Sequence, residues 1–153
     1  MAEVGLVRLA QVALDVAMAA VPRYRTTFSK PQFTQPQLLA ILCLMRYEDW
    51  TYREAEVRLA EHCELRRALR LRSVPDYTTL YRFLRRLDEA AITRALNQVV
   101  HRMSLPGPRR RTLVESFFSA AKRKFSCRAP GRSLLTQRRQ ALLLGLTYNL
   151  YRL

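Results

Sequence analysis

Apolar residues recur at helical spacing along most of this chain. In residues 5–20 they fall on one face of a helix, and Pro22 ends the pattern. Thr34, followed two residues later by Pro36, is typical of a second helix start. The apolar run that follows is unbroken, so we predict a central helix buried on nearly all sides. Its core positions are Leu38, Leu39, Ile41, Leu42 and Met45.

Two further helices are predicted from their start signals. Thr51-Tyr-Arg-Glu54 is a capping box, which predicts a helix to about His62, and residues 65–71 predict a short basic turn of helix. Asp76 or Thr78 caps the next helix. Its core stripe is Leu80, Phe83, Leu84 and Leu87, and its other sides carry Thr79, Arg82, Arg85 and Arg86.

This basic outer face has two interpretations. A helix, a turn region and a second helix with exposed cations are features of a helix-turn-helix DNA reader. The connection between His62 and Asp76 is longer than the usual tight turn, and the face is equally typical of a solvated side of a helical bundle. The connector 22–33, with interleaved basic and aromatic residues, is ambiguous in the same way. It either touches DNA phosphates or forms a solvated loop with Phe28 and Phe33 tucked into the core.

The C-terminal third is also predicted to be helical. Residues 88–103 continue as helix, with Ala91, Leu96, Val99 and Val100 facing inward. A breaker at 104–110 precedes a helix at 111–125 and a final helix at 134–151. No segment is typical of a strand, so we expect an all-α fold with a helical domain at 1–103, a junction at 104–110 and a C-terminal part at 111–153. The bundle at 34–103 is the obvious packing surface for this part, and loose docking or pairing with another copy are the alternatives. The packing positions of the final helix are Ala141, Leu142, Leu144, Gly145, Tyr148 and Leu150.

Charge narrows the choice of partner. The formal net charge is +15, and residues 102–153 carry 12 cations and one acid. Such a field attracts polyanions, with nucleic acid as the first candidate and an anionic membrane surface as the second. Nearly all the cations are arginines, a bias that a GC-rich genome also produces.

Thiols and targeting signals point to the cytoplasm. Cys43 lies in the apolar run of the central helix and is predicted to be buried, and the three cysteines show no metal-binding spacing. His62 beside Cys63 has no matching pair of ligands elsewhere. Arg8 and Asp15 interrupt the N-terminal apolar stretch, which indicates no signal peptide, and no apolar run approaches the ~20 residues that span a bilayer.

One stretch, 111–125, combines cations, aromatic residues and a lone carboxylate. Arg111, Glu115 and Lys122 are four and seven residues apart, which places them on one helix face. This arrangement suits a metal ion held beside a phosphate backbone. It equally suits a surface helix with ion pairs between successive turns.

Longer blocks carry a family resemblance. Residues 111–125 and 134–150 resemble the end of bacterial DDE insertion-sequence transposases, whose signature is Tyr, two residues, Arg, three residues, Glu, six residues and Lys. Arg111, Glu115 and Lys122 match, whereas Pro108 stands at the Tyr position. The N-terminal part is similar to the helical domain that precedes the catalytic core of these enzymes. The matching pieces are Phe33-Thr-Gln-Pro-Gln-Leu-Leu, Trp50-Thr-Tyr-Arg-Glu and Val74-Pro-Asp-Tyr-Thr-Thr-Leu-Tyr-Arg-Phe.

The resemblance implies a ribonuclease H-like core in which two Asp and one Glu hold two divalent metal ions, Mg²⁺ in the intact family. Glu115 would be the third acidic ligand and Lys122 a contact to the transposon end. We expect DNA binding by these signature cations, by their neighbours and by the basic helix. The candidate DNA-binding residues are Arg82, Arg85, Arg86, Thr79, Arg109, Arg110, Arg111, Lys122, Arg123 and Lys124.

The two catalytic aspartates have no counterpart. The four Asp of the chain all precede Glu115, and 26 residues separate the last of them, Asp88, from it. A sheet of several strands of ~5–6 residues does not fit that interval. We therefore expect an internally deleted transposase, with 111–153 as the remnant of the catalytic domain, that is inactive alone and needs no cofactor.

Three functions follow from these expectations. The first is a DNA-binding remnant that recognises transposon-end inverted repeats in the cytoplasm, at the nucleoid. Its protein partners would be a second copy of itself or the full-length transposase, and no membrane would be involved. The second is an all-helical interaction protein with no nucleic-acid role. The third is a transposase subunit completed in trans, in which Glu115 binds metal beside carboxylates from a partner chain.

Overall fold

The computed structural model describes residues 2–24, 32–103 and 131–152. These ranges contain α-helices and no strand, which confirms the all-α class. Within them, no helix is both long enough and apolar enough to cross a bilayer. The helix predicted at 111–125 and the junction 104–110 lie outside the described residues. The helices are α1 (Ala2–Ala20), α2 (Gln35–Glu48), α3 (Tyr52–Glu61), α4 (Cys63–Ala68), α5 (Tyr77–Arg86), α6 (Glu89–Met103) and α7 (Leu134–Arg152).

Side-chain caps begin α2 and α3 where the sequence predicts them. The Thr34 hydroxyl accepts a hydrogen bond from the Gln37 backbone N–H at 3.4 Å, and the Gln37 side chain accepts one from the Thr34 N–H at 3.0 Å. The same reciprocal pair joins Thr51 and Glu54, with N···O distances of 3.2 and 2.7 Å. Both motifs satisfy backbone N–H groups that the first turn of a helix leaves without partners.

The core is built around α2. Every residue from Leu38 to Met45 is buried, as the unbroken apolar run predicts. α1, α3, α5 and α7 all pack against this helix. Cys43 is among its buried residues, which confirms the prediction for this thiol.

The C-terminal helix α7 completes this core by packing on α2 and α6. Leu143, Leu146 and Leu150 are buried in the same cluster as the α2 side chains. The buried Thr147 hydroxyl donates to the Leu143 carbonyl at 2.7 Å and lies 3.4 Å from the carbonyl of Cys43. These three leucines of α7 therefore find an apolar surface within this chain.

One detail of the predicted packing needs correction. Ala141 is exposed, because the face of α7 that meets the bundle is centred on Leu143 and Leu146. On α6 the predicted Leu96 is partly buried and packs against the core, and the fully buried positions also include Ile92 and Ala95. The apolar face of α7 is wide, and the sequence alone does not show which part of it meets a neighbour.

Candidate nucleic-acid interface

Helix α5 separates apolar and basic side chains cleanly. Leu80, Phe83 and Leu84 are buried, and Leu87 just beyond the helix is buried as well. These are the four positions of the predicted core stripe. On the other sides Arg82, Arg85 and Arg86 are exposed, whereas Thr79 is half-buried at the edge of the face. We call the three exposed arginines the basic face of α5.

The basic face contains no acidic side chain, because residues 77–86 include neither Asp nor Glu. The three arginines lie within about 6 Å along the helix axis, at a rise of ~1.5 Å per residue. Among the described residues, none of the three arginines forms an ion pair. Their positive charge is therefore presented to solvent.

Aromatic and backbone groups orient two of these arginines. The Arg85 guanidinium carbon lies 5.7 Å from the centre of the Tyr81 ring, a cation–π distance. The Tyr81 ring in turn meets the ring of Tyr52 on α3 edge to face, with 5.7 Å between their centres. The Arg86 Nε donates to the Arg82 carbonyl at 3.3 Å. The Arg82 side chain is exposed and lies near the Asp76 carboxylate.

Two carboxylates accept hydrogen bonds from backbone N–H groups in the first turn of α5. Asp76 accepts hydrogen bonds from the Thr79 N–H at 2.7 Å and the Thr78 hydroxyl at 2.8 Å, so Asp76 is the cap. The Glu56 carboxylate of α3 accepts from the Tyr77 N–H at 3.1 Å. The hydrogen bonds from Thr79, then that from Thr78, and the nearby Arg82 guanidinium lower the pKa of Asp76. This helix start is therefore already supplied with negative charge, and a phosphate would meet α5 further along, at the arginines.

The C-terminus of α5 is held by the last helix. Arg139 of α7 donates to the carbonyls of Leu84, at 3.1 Å, and of Arg85. Its neighbour Arg138 pairs with Glu89 at the start of α6, with an N···O distance of 3.3 Å. The basic face is thus positioned at both ends by partners from α3 and α7. Sequence reasoning missed Arg138 and Arg139, whose partners lie about 50 residues away in the chain.

The helices around α5 depart from a tight helix-turn-helix. α3 packs against α5, but the short helix α4 intervenes between them in the chain. Eight residues then separate Ala68 from Tyr77, whereas the turn of that motif has ~3–4 residues. The basic face therefore belongs to a helix presented on a bundle rather than to a compact two-helix reader.

The acidic and basic residues of the family signature lie elsewhere. Arg109, Arg110, Arg111, Glu115, Lys122, Arg123 and Lys124 lie outside the described residues. The four aspartates are on separate elements: Asp15 is exposed on α1, Asp49 ends α2, Asp76 caps α5, and Asp88 accepts from the Ala90 N–H at 3.1 Å. Across residues 2–24, 32–103 and 131–152, no three His, Cys, Asp or Glu side chains are grouped so that they could hold a metal ion.

Comparison with known proteins gives one family. The family model described as "Transposase domain (DUF772)" matches residues 6–86, which are 81 of the 153 residues. The match runs from α1 to the last residue of α5 and so includes the basic face. Neither the search of curated proteins nor the search of solved structures gave a match.

Proposed function

Since the chain belongs to the transposase domain family DUF772, we propose that it binds the DNA of a transposable element through the basic face of α5 and does not cut it. Membership of this family gives the chain a role related to transposition. The observation that carries the finer proposal is the set of three exposed arginines on α5, none of which forms an ion pair among the described residues.

The shape of this surface favours double-stranded DNA. The arginines of α5 are exposed on the outer side of a single helix, and a helix with its side chains is ~10–12 Å wide, which fits a major groove of ~12 Å. Arginine donates two parallel hydrogen bonds either to a phosphate or to the edge of a guanine. Arg82, the first of the three arginines from the N-terminus of α5, is the residue we expect to reach bases, and Arg85 and Arg86 are expected to hold phosphates.

The absence of cleavage is proposed on the positions of the carboxylates. Two-metal phosphoryl transfer needs several anionic oxygens around ions ~3.5–4 Å apart. Asp76 and Asp88 are engaged with backbone N–H groups at helix starts, and Asp15 and Asp49 lie on other helices. The resemblance of 111–125 to a DDE signature then supports descent from a bacterial insertion-sequence enzyme that has lost its central core. On this proposal the protein acts at the nucleoid, alone or paired with an intact transposase.

Anisotropy of a labelled duplex that carries a terminal inverted repeat tests the DNA-binding proposal. Five phosphate contacts would give a slope of about −4.5 for log K against log salt. We expect the double variant Arg82→Ala/Arg85→Ala to reduce the magnitude of that slope by about 0.9, because it removes the one phosphate contact assigned to Arg85. If Arg82 reads a base, the single variant Arg82→Ala also relaxes sequence preference by ~1–3 kcal/mol.

The matched control is Arg8→Ala/Arg67→Ala, which removes the same charge from exposed positions on α1 and α4. An equal effect of both double variants would contradict a specific role for α5. No binding at low salt would favour an interaction protein without a nucleic-acid role. The same duplex should stay intact with Mg²⁺ or Mn²⁺, and nicking that disappears in Glu115→Ala would overturn the proposed inactivity.

A further inference from the structure

A second basic surface lies away from α5. It is a cleft of about 720 Å³ between the end of α1, the start of α2 and the connection from α4 to α5. Its floor is apolar and buried, and its rim carries exposed arginines. We define the cleft by the buried residues Leu14, Val21 and Pro36 and the exposed residues Arg23, Arg70 and Arg72.

The charge of the cleft is positive throughout. Its three arginines come from two segments of the chain nearly 50 residues apart, and no acidic side chain is among the described residues that line it. Within the described part of the chain, none of the three forms an ion pair. Like charges brought together without acidic partners repel one another, so this arrangement favours an anionic ligand.

The backbone holds one of these arginines in an unusual conformation. α4 ends with hydrogen bonds from the Arg70 N–H to the Arg67 carbonyl and from the Leu71 N–H to the Arg66 carbonyl, the pattern of a Schellman motif. Arg70 has a φ of 54°, at the position where glycine is usual. The Gln37 side chain fixes this turn by donating to the Arg70 carbonyl at 2.8 Å. The Arg70 side chain therefore starts from a fixed point on the rim.

Aromatic side chains accompany the cations. Tyr24 and Phe33 are half-buried and line the same cleft. The Arg23 guanidinium carbon lies 5.4 Å from the centre of the Tyr24 ring. Gln32 and Ser73 tie the two sides of the cleft together with a hydrogen bond of 2.6 Å. Cations beside aromatic rings in a groove are the means by which proteins hold the phosphates and unstacked bases of a single strand.

We propose that this cleft binds single-stranded DNA, with phosphates on Arg23, Arg70 and Arg72 and a base on Tyr24. The choice of ligand rests on the proposed DNA-binding function. The cleft volume lies within the ~300–1,000 Å³ usual for ligand sites. On this proposal the basic face of α5 binds double-stranded DNA, and the cleft binds an unpaired strand beside it.

Titration of the full chain with two fluorescent probes tests this inference. One probe is a 12-nucleotide oligothymidylate and the other is a blunt hairpin duplex. We expect Arg23→Ala/Arg72→Ala to weaken oligothymidylate binding at least about tenfold, with a salt slope smaller by about 1.4 for two lost contacts to a single strand. Tyr24→Ala is expected to weaken the same binding about tenfold, through the lost base stack. Both leave hairpin binding within about twofold.

The α5 variant Arg82→Ala/Arg85→Ala is expected to show the reverse pattern, because no residue of α5 lines the cleft. The charge-matched variant Arg8→Ala/Arg67→Ala should change neither affinity, because neither residue lines the cleft or lies on α5. Thermal unfolding of each variant identifies any that fail to fold, and Arg23→Gln/Arg72→Gln then replaces an unfolded alanine pair.

Three outcomes would overturn the inference. If the cleft variants lose affinity equally for both probes, the effect is one of general charge and not of the cleft. An unchanged affinity of Tyr24→Ala for oligothymidylate would remove the base contact. Wild-type protein that binds the hairpin but not oligothymidylate would overturn the cleft site while leaving the proposed duplex binding in place, and failure to bind either probe would overturn both.

Discussion

At the scale of single residues, burial sets the chemistry of the thiols. Cys43 lies in the middle of α2, and burial raises the pKa of its thiol to about 12, against a smaller lowering by the hydrogen bond with Thr147. Cys63 is exposed at the start of α4. The thiolate is the reactive form of cysteine, so these two residues should differ strongly in reactivity.

This difference is measurable with a thiol reagent. In a Cys127→Ser background at pH 8, we expect one fast thiol, Cys63, because Cys43 remains protonated and shielded. Cys43 should react only after denaturant is added. The double variant Cys63→Ser/Cys127→Ser should show no fast phase, and two fast thiols in the first variant would contradict the burial of Cys43.

At the scale of elements, helix starts were predictable and helix partners were not. The caps at Thr51 and Thr34 depend on residues three positions apart, so local sequence was sufficient to predict both helix starts, and the structure chooses Asp76 over Thr78 as the cap of α5. The bond from the Tyr77 N–H to Glu56 and those from Arg139 to the end of α5 join distant parts of the chain. Such contacts exist only once the helices have packed, and a pattern of apolar and polar residues does not contain them.

The cap of α5 should make stability depend on pH. Folding lowers the pKa of Asp76, so its charge stabilises the folded state above the unfolded pKa of ~3.9, and this contribution is lost as pH falls through the lower folded value. Asp76→Asn keeps a capping oxygen but does not titrate. Urea unfolding from pH 7 to pH 3 should show wild type losing stability relative to Asp76→Asn as the medium becomes acidic. A difference that is constant over this range would contradict the assignment.

At the scale of the whole molecule, one hydrophobic core extends beyond the family match. The matched segment ends with α5, yet α6 and α7 contribute buried residues to the same cluster as α2. The resemblance of 134–150 to the end of a transposase gave no information on where those leucines would pack. In the structure, α7 packs its leucines against α2 and α6.

Removing an α7 leucine from this core should therefore destabilise the entire fold. Leu143→Ala deletes a fully buried side chain, for which the expected loss is about 2–5 kcal/mol of unfolding free energy. Leu135→Ala, on an exposed position of the same helix, is the control and should stay within about 0.5 kcal/mol. Chemical denaturation measures both, and equal small losses would show that α7 does not belong to the cooperative unit.

Arg70 has a consequence for how such a sequence tolerates change. Its left-handed backbone would be relaxed by glycine, which adopts a positive φ without steric cost. The same replacement would remove a cation from the rim of the cleft. Selection for folding alone would drive this position toward glycine, whereas selection for holding a nucleic-acid strand would retain arginine. The residue found at position 70 in a related transposase domain should therefore indicate whether folding alone or strand binding has been selected: glycine for the first, arginine for the second.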